Sequence, residues 1–282
     1  MINIVGLGSS DKDGLTLEAY RIMKNKNKNF IRTKRHEAVK ILEEEGIDYE
    51  SFDYLYESED SFDKVYEKIV DRLIEENKKG DINYFVPGSP FIAESTVVRL
   101  IKATDDYSLT AGVSFIDHLL NAVKTDPSKH MILLDGDDFN IHNVNPRGDI
   151  IITQIYNKRI AVDLKLSLSE VYGDEYEIYL VTDAGLKSEK VYKLPIYKLD
   201  RMENINHQSA LFIPKCNRPV LGDILDSLED EPIQNNIDID ELIDSTLENL
   251  KAIASLNREG LYNYREIFDL IYKKSSKNRL FK

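Results

Sequence analysis

Apolar positions in the first part of the chain follow two rhythms in turn. Residues 2 to 6 form a short apolar run that predicts a strand. It enters Gly6-Leu7-Gly8 and a turn rich in Ser, Asp and Gly, and a helix is expected over 14–24, with Thr16 placed to cap it. FIRT, at 30–33, reads as another short strand. His36 to Glu45 is amphipathic, with Val39, Ile41 and Leu42 on one face, and Gly46 is a natural stop. YESFDYLY, at 49–56, reads as aromatic and extended or turn-like. From Phe62 to Lys78, the residues Phe62, Val65, Tyr66, Ile69, Val70, Leu73 and Ile74 fall at helical spacing. INYFVPG predicts a strand running into a Gly-Pro turn, then a helix from Ile92 to Lys102. Tyr107 to Ala111 is a strand, followed by Gly112-Val113-Ser114 and a helix over 115–123. This βα alternation predicts a mostly parallel, doubly wound sheet.

The rhythm then changes. MILLD, DIIITQIYN, YEIYLVTDAG and VYKLPIYKL read as strands, with a helix from Asp163 to Tyr172 among them. The expected organisation is an N-terminal α/β domain over 1–113, a second α/β domain over 114–214 and an acidic helical tail over 215–282. The stretch at 214–219 reads as an exit linker. The tail is helical in LGDILDSL, IDELIDSTLENLKAIASL and REIFDLIYKKS, and Ile243, Leu247, Leu250 and Ile253 form a stripe that needs a partner.

Composition narrows the function. A net charge of −13 over 282 residues argues against a general affinity for nucleic acid, which needs clustered Lys and Arg. A single cysteine, Cys216, excludes an internal disulfide and any multi-cysteine zinc site. The five histidines show no metal-ligand spacing, so no metal is expected. Asp135-Gly136-Asp137-Asp138 lacks the Gly and Glu that a calcium loop requires and reads as a turn. No apolar run is long enough to span a bilayer and no signal sequence opens the chain, so a cytoplasmic protein is expected.

The turns carry the chemistry. Gly6-Leu7-Gly8-Ser9, Pro87-Gly88-Ser89-Pro90 and Gly112-Val113-Ser114 each follow the carboxyl end of a predicted strand. Ligands of open α/β sheets bind outside those ends. Small residues there leave room for a flat or bent cofactor, with backbone N–H and C=O groups expected free to bond it. The first turn is neither a dinucleotide fingerprint, because Asp11 stands where the third Gly belongs, nor a P-loop, because the helix opens without Lys.

IVGLGSSDKDGLTLEAY resembles the first motif of the tetrapyrrole (corrin/porphyrin) methylases. VPGSP stands where that family has Gly-Asp-Pro, and AGVSF where it has a small-residue turn ending in Ser. RTKRHEAVKILEEEGIDYESFDYLY and ITQIYNKRIAVDLKLSLSEVYGDEYEIYLVTDAG resemble the branch fused ahead of a MazG-type nucleotide pyrophosphohydrolase. The resemblance covers about residues 1 to 214. It implies two α/β domains with S-adenosylmethionine in the cleft between them. By position, cofactor contacts fall on Gly8, Ser9, Pro87, Gly88, Ser89, Ile92, Ser114 and Phe115, with Tyr156 and Ala184 from the second domain. Two departures stand out: Ser9 follows the first glycines where Pro-Gly-Asp is usual, and Ser89 replaces the Asp of Gly-Asp-Pro. A lost carboxylate weakens binding, because charge-assisted hydrogen bonds are roughly twice as strong as neutral ones.

The implied reaction is methyl transfer to a small-molecule or peptide acceptor. It needs alignment more than catalytic groups. Arg32, Tyr54 and Tyr56 are the candidate catalytic residues; Arg35, His36 and Tyr66 are the candidate substrate contacts. Arg32, Arg35 and His36 follow a strand end, where an acidic substrate is plausible; the tyrosines can stack on or polarise one, although core packing also explains them. Asp117 and His118 read as ordinary residues of a helix N-terminus. Two other functions compete: a non-catalytic domain that binds S-adenosylmethionine or a nucleotide, and a pyrophosphohydrolase in the tail. The second lacks Glu-x-x-Glu, and although Glu241-x-x-Asp244 and Glu266-x-x-Asp269 occur, such pairs are common on helices, so the tail reads as an absent, truncated or degenerate MazG-like segment and this function is the less favoured. A homodimer is expected, with no nucleic acid and no membrane as partner.

Overall fold

The computed structural model describes residues 1–128, 130–216 and 238–277. The chain divides into two compact units, 1–126 with 181–191, and 127–180 with 192–282.

In the first unit, β1 (Ile2–Gly6), β2 (Lys28–Ile31), β3 (Glu50–Ser51), β4 (Ile82–Val86) and β5 (Tyr107–Thr110) form one sheet in the order β3-β2-β4-β1-β5. All its pairings are parallel, as the βα alternation predicts. The strand period of two sends side chains to alternate faces. Ile4, Phe30 and Tyr84 pack with Val65, Ile69 and Leu73 of α4 (Phe62–Asn77) and Val97 of α5 (Ser95–Ala103). Val5, Ile31 and Phe85 pack with Ala19 and Met23 of α1 (Leu17–Met23) and Leu42 of α2 (Lys40–Glu44). Thr16 caps α1, its hydroxyl accepting from Ala19 N at 3.1 Å.

At the amino ends of the strands, the register aligns Asn29, Asn83, Asn3 and Ser108 across β2, β4, β1 and β5. The Asn83 amide accepts from Asn3 at 2.9 Å and donates to Asn29 and Asn25 at 2.8 Å, and Ser108 donates to Asn3 at 2.8 Å. A ladder of satisfied buried amides fixes this register, because a slip would orphan them.

The second sheet belongs mainly to the second unit, with the end of β8 and the start of β9 counted in the first: β6 (Met131–Asp135), β7 (Asp149–Thr153), β8 (Glu177–Thr182), β9 (Lys190–Pro195) and β10 (Ser209–Ile213) order as β6-β7-β10-β8-β9. The β6–β7 pair is parallel and the β7–β10 pair antiparallel, so this sheet is mixed. Ile160, Leu164 and Leu168 of α7 (Lys158–Tyr172) close its core against Ile150, Ile152 and Leu180. Two tail helices follow, α8 (Ile239–Arg258) and α9 (Tyr264–Lys277), and Ile267 of α9 is buried. Of the expected stripe, Ile243, Leu247 and Leu250 of α8 stay about half exposed, joined by Leu242, whereas Ile253 is half-buried.

Several expectations need correction. YESFDYLY is a two-residue strand followed by α3 (Asp53–Ser58), whose first turn is set by Ser51 Oγ accepting from Asp53 N at 3.1 Å. His36 to Glu45 begins as a 3-10 turn and becomes α-helical only from Lys40. VYKLPIYKL leaves the sheet at Pro195 and continues as a 3-10 helix over Ile196–Arg201, where the proline removes a ladder donor. SALFI, unread in the sequence, is the central strand β10 and is buried throughout. The expected exit linker starts tethered: Lys215 N donates to Asp149 at 2.7 Å, and Cys216 N to Pro146 O at 2.8 Å. Its remainder, and LGDILDSL, lie outside the described residues.

Among the described residues, no helix is long and apolar enough to cross a membrane, and no cluster of three or more His, Cys, Asp or Glu is set to hold a metal. Asp135 accepts from Asp137 N at 2.9 Å, which makes that acidic stretch a turn.

Candidate functional site

Three turns meet at the carboxyl edge of the first sheet. Gly88 N donates to Gly8 O at 2.7 Å, and Gly8 N donates to Gly88 O at 3.2 Å. A Cβ on Gly6 would lie 2.5 Å from Gly88 O, and one on Gly112 only 2.1 Å from that oxygen and 2.8 Å from Gly8 N. Glycine is required here so that the turns can touch backbone to backbone. This corrects one expectation: the N–H and C=O of Gly8 and Gly88 bond each other and are not free for a ligand.

Gly88 itself is different. Its φ is 64°, and a Cβ there would meet nothing within 4 Å. Its open side faces outward from the three-turn junction. Beside the first turn, Ser9 Oγ is buried without a hydrogen-bond partner. A buried hydroxyl left unpaired costs free energy unless a ligand or water completes it. Pro87, Ser89 and Ile92 are half-buried in the loop after β4, which Ile92 N closes by donating to Ser89 O at 3.2 Å. Ser114 caps α6 (Phe115–Val123): its Oγ accepts from Ile116 N at 3.1 Å, and Asp117 accepts from Ser114 N at 2.9 Å. Its hydroxyl proton remains available to donate, and Phe115 is half-buried on the first helical turn.

Ala184 is buried in the turn after β8, behind Asp183, whose φ is 55°. The adjoining Gly185 packs on α6: a Cβ there would lie 2.5 Å from the His118 ring. His118 Nε2 is buried and unpartnered. Tyr156 belongs to the second unit, where its hydroxyl donates to Asp137 at 2.7 Å; that carboxylate pushes the phenol pKa up. Ala93, Gln154 and Asp183 are non-glycine residues with φ near +56°, +58° and +55°, in the loops after β4, β7 and β8. Backbone strain of this kind concentrates at functional sites.

The proposed catalytic and substrate residues separate into groups. Arg32 follows β2, its N–H donating to Phe85 O at 3.0 Å. Its Nη1 donates to Glu94 at 2.6 Å and its Nε to the Tyr56 hydroxyl at 3.1 Å, and its guanidinium lies 5.7 Å from the Tyr66 ring centre. Burial is the largest influence and disfavours the charge on Arg32, but Glu94, Tyr56 and Tyr84 together outweigh it and hold the guanidinium pKa above its ordinary value. Burial pushes the Tyr56 phenol up despite Arg32, so Tyr56 is a protonated donor at neutral pH. Tyr54, two positions from Tyr56 on α3, turns away, half exposed beside Phe52 at 6.5 Å. Arg35 is exposed, and its charge helps to lower the Asp53 pKa.

His36 serves the first turn. One ring nitrogen, Nδ1, accepts from Ala38 N at 3.2 Å, and the ring also bonds the backbone of Gly8. Burial pulls its pKa below the ordinary value. His118 reads in the sequence as an ordinary residue of a helix N-terminus, and Glu94 is not singled out there. The sequence places Glu94 inside a helix expected from Ile92; the helix starts only at Ser95, which makes Glu94 its N-cap.

The architecture defines a class: two α/β units, with small-residue turns gathered at the carboxyl edge of a parallel sheet. The chain belongs to the tetrapyrrole (corrin/porphyrin) methylase family, whose model matches residues 1–200. Uncharacterized protein YabN of Bacillus subtilis (strain 168) is 34% identical over 217 residues, which cover 76% of this chain and 44% of that protein. The chain thus spans less than half the length of this relative. The fold matches a cobalt precorrin-4 methyltransferase of cobalamin biosynthesis, at TM-score 0.59 and 14% identity over 76% of this chain and 94% of that one. It also matches a uroporphyrin-III C-methyltransferase from Thermus thermophilus (0.59, 18%, over 76% and 94%) and a diphthine synthase (0.58, 13%, over 76% and 89%).

Proposed function

We propose that this chain binds S-adenosylmethionine at the carboxyl edge of its first sheet and transfers the methyl group to a small-molecule or peptide acceptor. The observation that carries the reading is the junction of Gly6, Gly8, Gly88 and Gly112, with Ser9 Oγ buried and unpaired beside it and the outer side of Gly88 open. These features fit the cofactor: Ser9 and Ser114 offer hydroxyls, Ile92 and Phe115 offer apolar walls, and Gly88 admits close approach. When bound, the cofactor supplies an electrophilic methyl on a sulfonium. The chain's part is to hold the acceptor atom in line with it.

The side chains named here position more than they deprotonate. Tyr56 is held protonated, and both functions of the His36 ring are engaged with backbone. An acceptor whose nucleophilic atom already carries its lone pair at neutral pH suits such a site. Because Arg32 has its own carboxylate in Glu94, the pair offers an acceptor no net charge.

Calorimetric titration of the intact chain with S-adenosylhomocysteine tests the reading. Micromolar binding that a Gly88→Val change weakens supports it. No heat and no thermal stabilisation at millimolar ligand contradict it. A second reading, a domain that binds the cofactor without turnover, is favoured by Ser89 standing where the family has Asp; binding without methyl transfer to any acceptor in a labelled-donor screen selects it. The half-exposed apolar side chains of α8 support a homodimer, and a monomer mass at micromolar concentration removes that part. The fusion branch rests on resemblance alone, and the missing Glu-x-x-Glu counts against a pyrophosphohydrolase in the tail, which magnesium-dependent release of pyrophosphate from nucleoside triphosphates would revive.

A further inference from the structure

The loop after β4 carries Gly88, Ser89 and Ile92, and it ends at a buried carboxylate that the family reading did not single out. Glu94 is 4% exposed. One of its oxygens accepts from Arg32 Nη1 at 2.6 Å. The other accepts from Thr96 N at 3.2 Å and from the Thr96 hydroxyl. Thr96 Oγ1 also meets the Tyr84 hydroxyl at 2.8 Å, within the sheet core. Arg32 in turn hangs from β4 through Phe85 O and reaches Tyr56 on α3. The loop is therefore fastened at two points, Gly88 to Gly8 near its start and Glu94 to Arg32 at its end. Between them Ala93 holds a left-handed φ of 56°, a conformation that persists only when its surroundings impose it.

We propose that Glu94 is a positioning residue of the ligand edge: its carboxylate fastens the 87–94 loop to Arg32 and, through Arg32, orients the Tyr56 hydroxyl as a hydrogen-bond donor. This rests on the proposed methyltransferase reading for what the loop holds. The buried pair cancels the arginine charge, so the edge presents a neutral phenolic donor beside the aromatic ring of Tyr66. An acceptor with an uncharged hydrogen-bond-accepting group, such as a carbonyl or ether oxygen, is complementary to it. Such a buried pair is strongly sensitive to loss of one member, because the other is left charged and desolvated.

The test compares Glu94→Gln with Glu76→Gln. Glu76 is a second buried carboxylate, paired with Lys28 near the amino end of β2, away from the ligand edge. Two quantities are read in the intact chain: S-adenosylhomocysteine affinity by calorimetry, and the titration of Tyr56 by NMR of tyrosine labelled at Cζ, its signal assigned by its loss in Tyr56→Phe. Glu94→Gln is expected to weaken affinity by about tenfold or more, and to move the Tyr56 midpoint down by about half a pH unit or more, as Arg32 loses its counter-charge. Glu76→Gln is expected to hold affinity within about twofold of the parent. Unchanged affinity in Glu94→Gln overturns the proposal, whatever Tyr56 does. If Glu94→Gln does not fold, the charge-neutral double variant Arg32→Gln/Glu94→Gln takes its place and is judged by the same affinity criterion. If the unmodified chain binds no S-adenosylhomocysteine, the methyltransferase reading fails. Glu94 is then judged on Tyr56 alone: the downward shift sustains its role, and an unmoved titration refutes it.

Discussion

Replacing Gly112 by Ala tests whether the three turns are one packed junction. The added Cβ would sit 2.1 Å from Gly88 O, 2.7 Å from Gly6 C and 2.8 Å from Gly8 N. All three neighbours are backbone, so no side chain can swing aside. To reach even 3.0 Å, the Gly88 carbonyl must retreat by roughly 0.9 Å. That carbonyl belongs to the Gly8–Gly88 bridge, whose two hydrogen bonds contribute roughly 1 kcal/mol each. Overpacking itself costs about 1 to 3 kcal/mol. The sum is a loss of about 3 to 5 kcal/mol of stability. Gly88→Ala is the contrasting change: its methyl meets open space, and the cost is the left-handed φ alone, about 1 kcal/mol. The chain has no tryptophan, so urea unfolding is followed by circular dichroism and tyrosine fluorescence. A Gly112→Ala loss below about 1 kcal/mol, or one equal to that of Gly88→Ala, would refute the packed junction.

Further changes test other parts of the account. Asn83→Ala removes the centre of the amide ladder and strands the Asn3, Asn25 and Asn29 side chains; a loss of about 3 kcal/mol or more is expected in urea unfolding, and a loss below about 1 would show that the ladder does not set the register. His36 is held below its ordinary pKa by burial, so the unfolded chain binds its proton more readily. Its contribution to stability is fully present above about pH 6.5 and is lost as the pH falls toward the folded value. The melting temperature should therefore fall between about pH 7 and pH 5.5 more in the parent than in His36→Asn, and parallel curves would remove the role given to this ring. Glu76 is pulled down to about 2, first by Lys79, with Lys28 and Arg72 adding to it. Its contribution is present above pH 4.5 and lost as the pH falls toward 2, so Glu76→Gln should flatten the acid limb of the stability curve.

The doubly wound first sheet was legible because β1, β2 and β4 are apolar runs buried on both faces and helices such as α4 show a clear stripe. The strand-end turns were legible as small-residue clusters. Their contents were not: spacing shows that Gly8 and Gly88 follow strands, but not that they bond each other, which depends on strand order and register. Arg32 stood out through its place after a strand. Its partner Glu94 lies 62 positions away, and only the β2–β4 pairing brings them together. Helix α3 was hidden by the aromatics in and beside it, which favour extended structure locally; here Phe52 just before the helix and Leu55 and Tyr56 within it pack on the sheet. SALFI was missed although INIVG and INYFV, buried throughout in the same way, were read: those two run into Gly-rich turns that mark a strand end, and SALFI runs into Pro214 instead.

The most direct test of the central claim is photolabelling of the intact chain with S-adenosylmethionine carrying a radioactive methyl group, followed by peptide mapping. The account predicts saturable labelling, suppressed by S-adenosylhomocysteine, on peptides that contain Gly88–Ile92 or Ser114–Phe115. Labelling that does not saturate, or that falls on α8 and α9 instead, would contradict it.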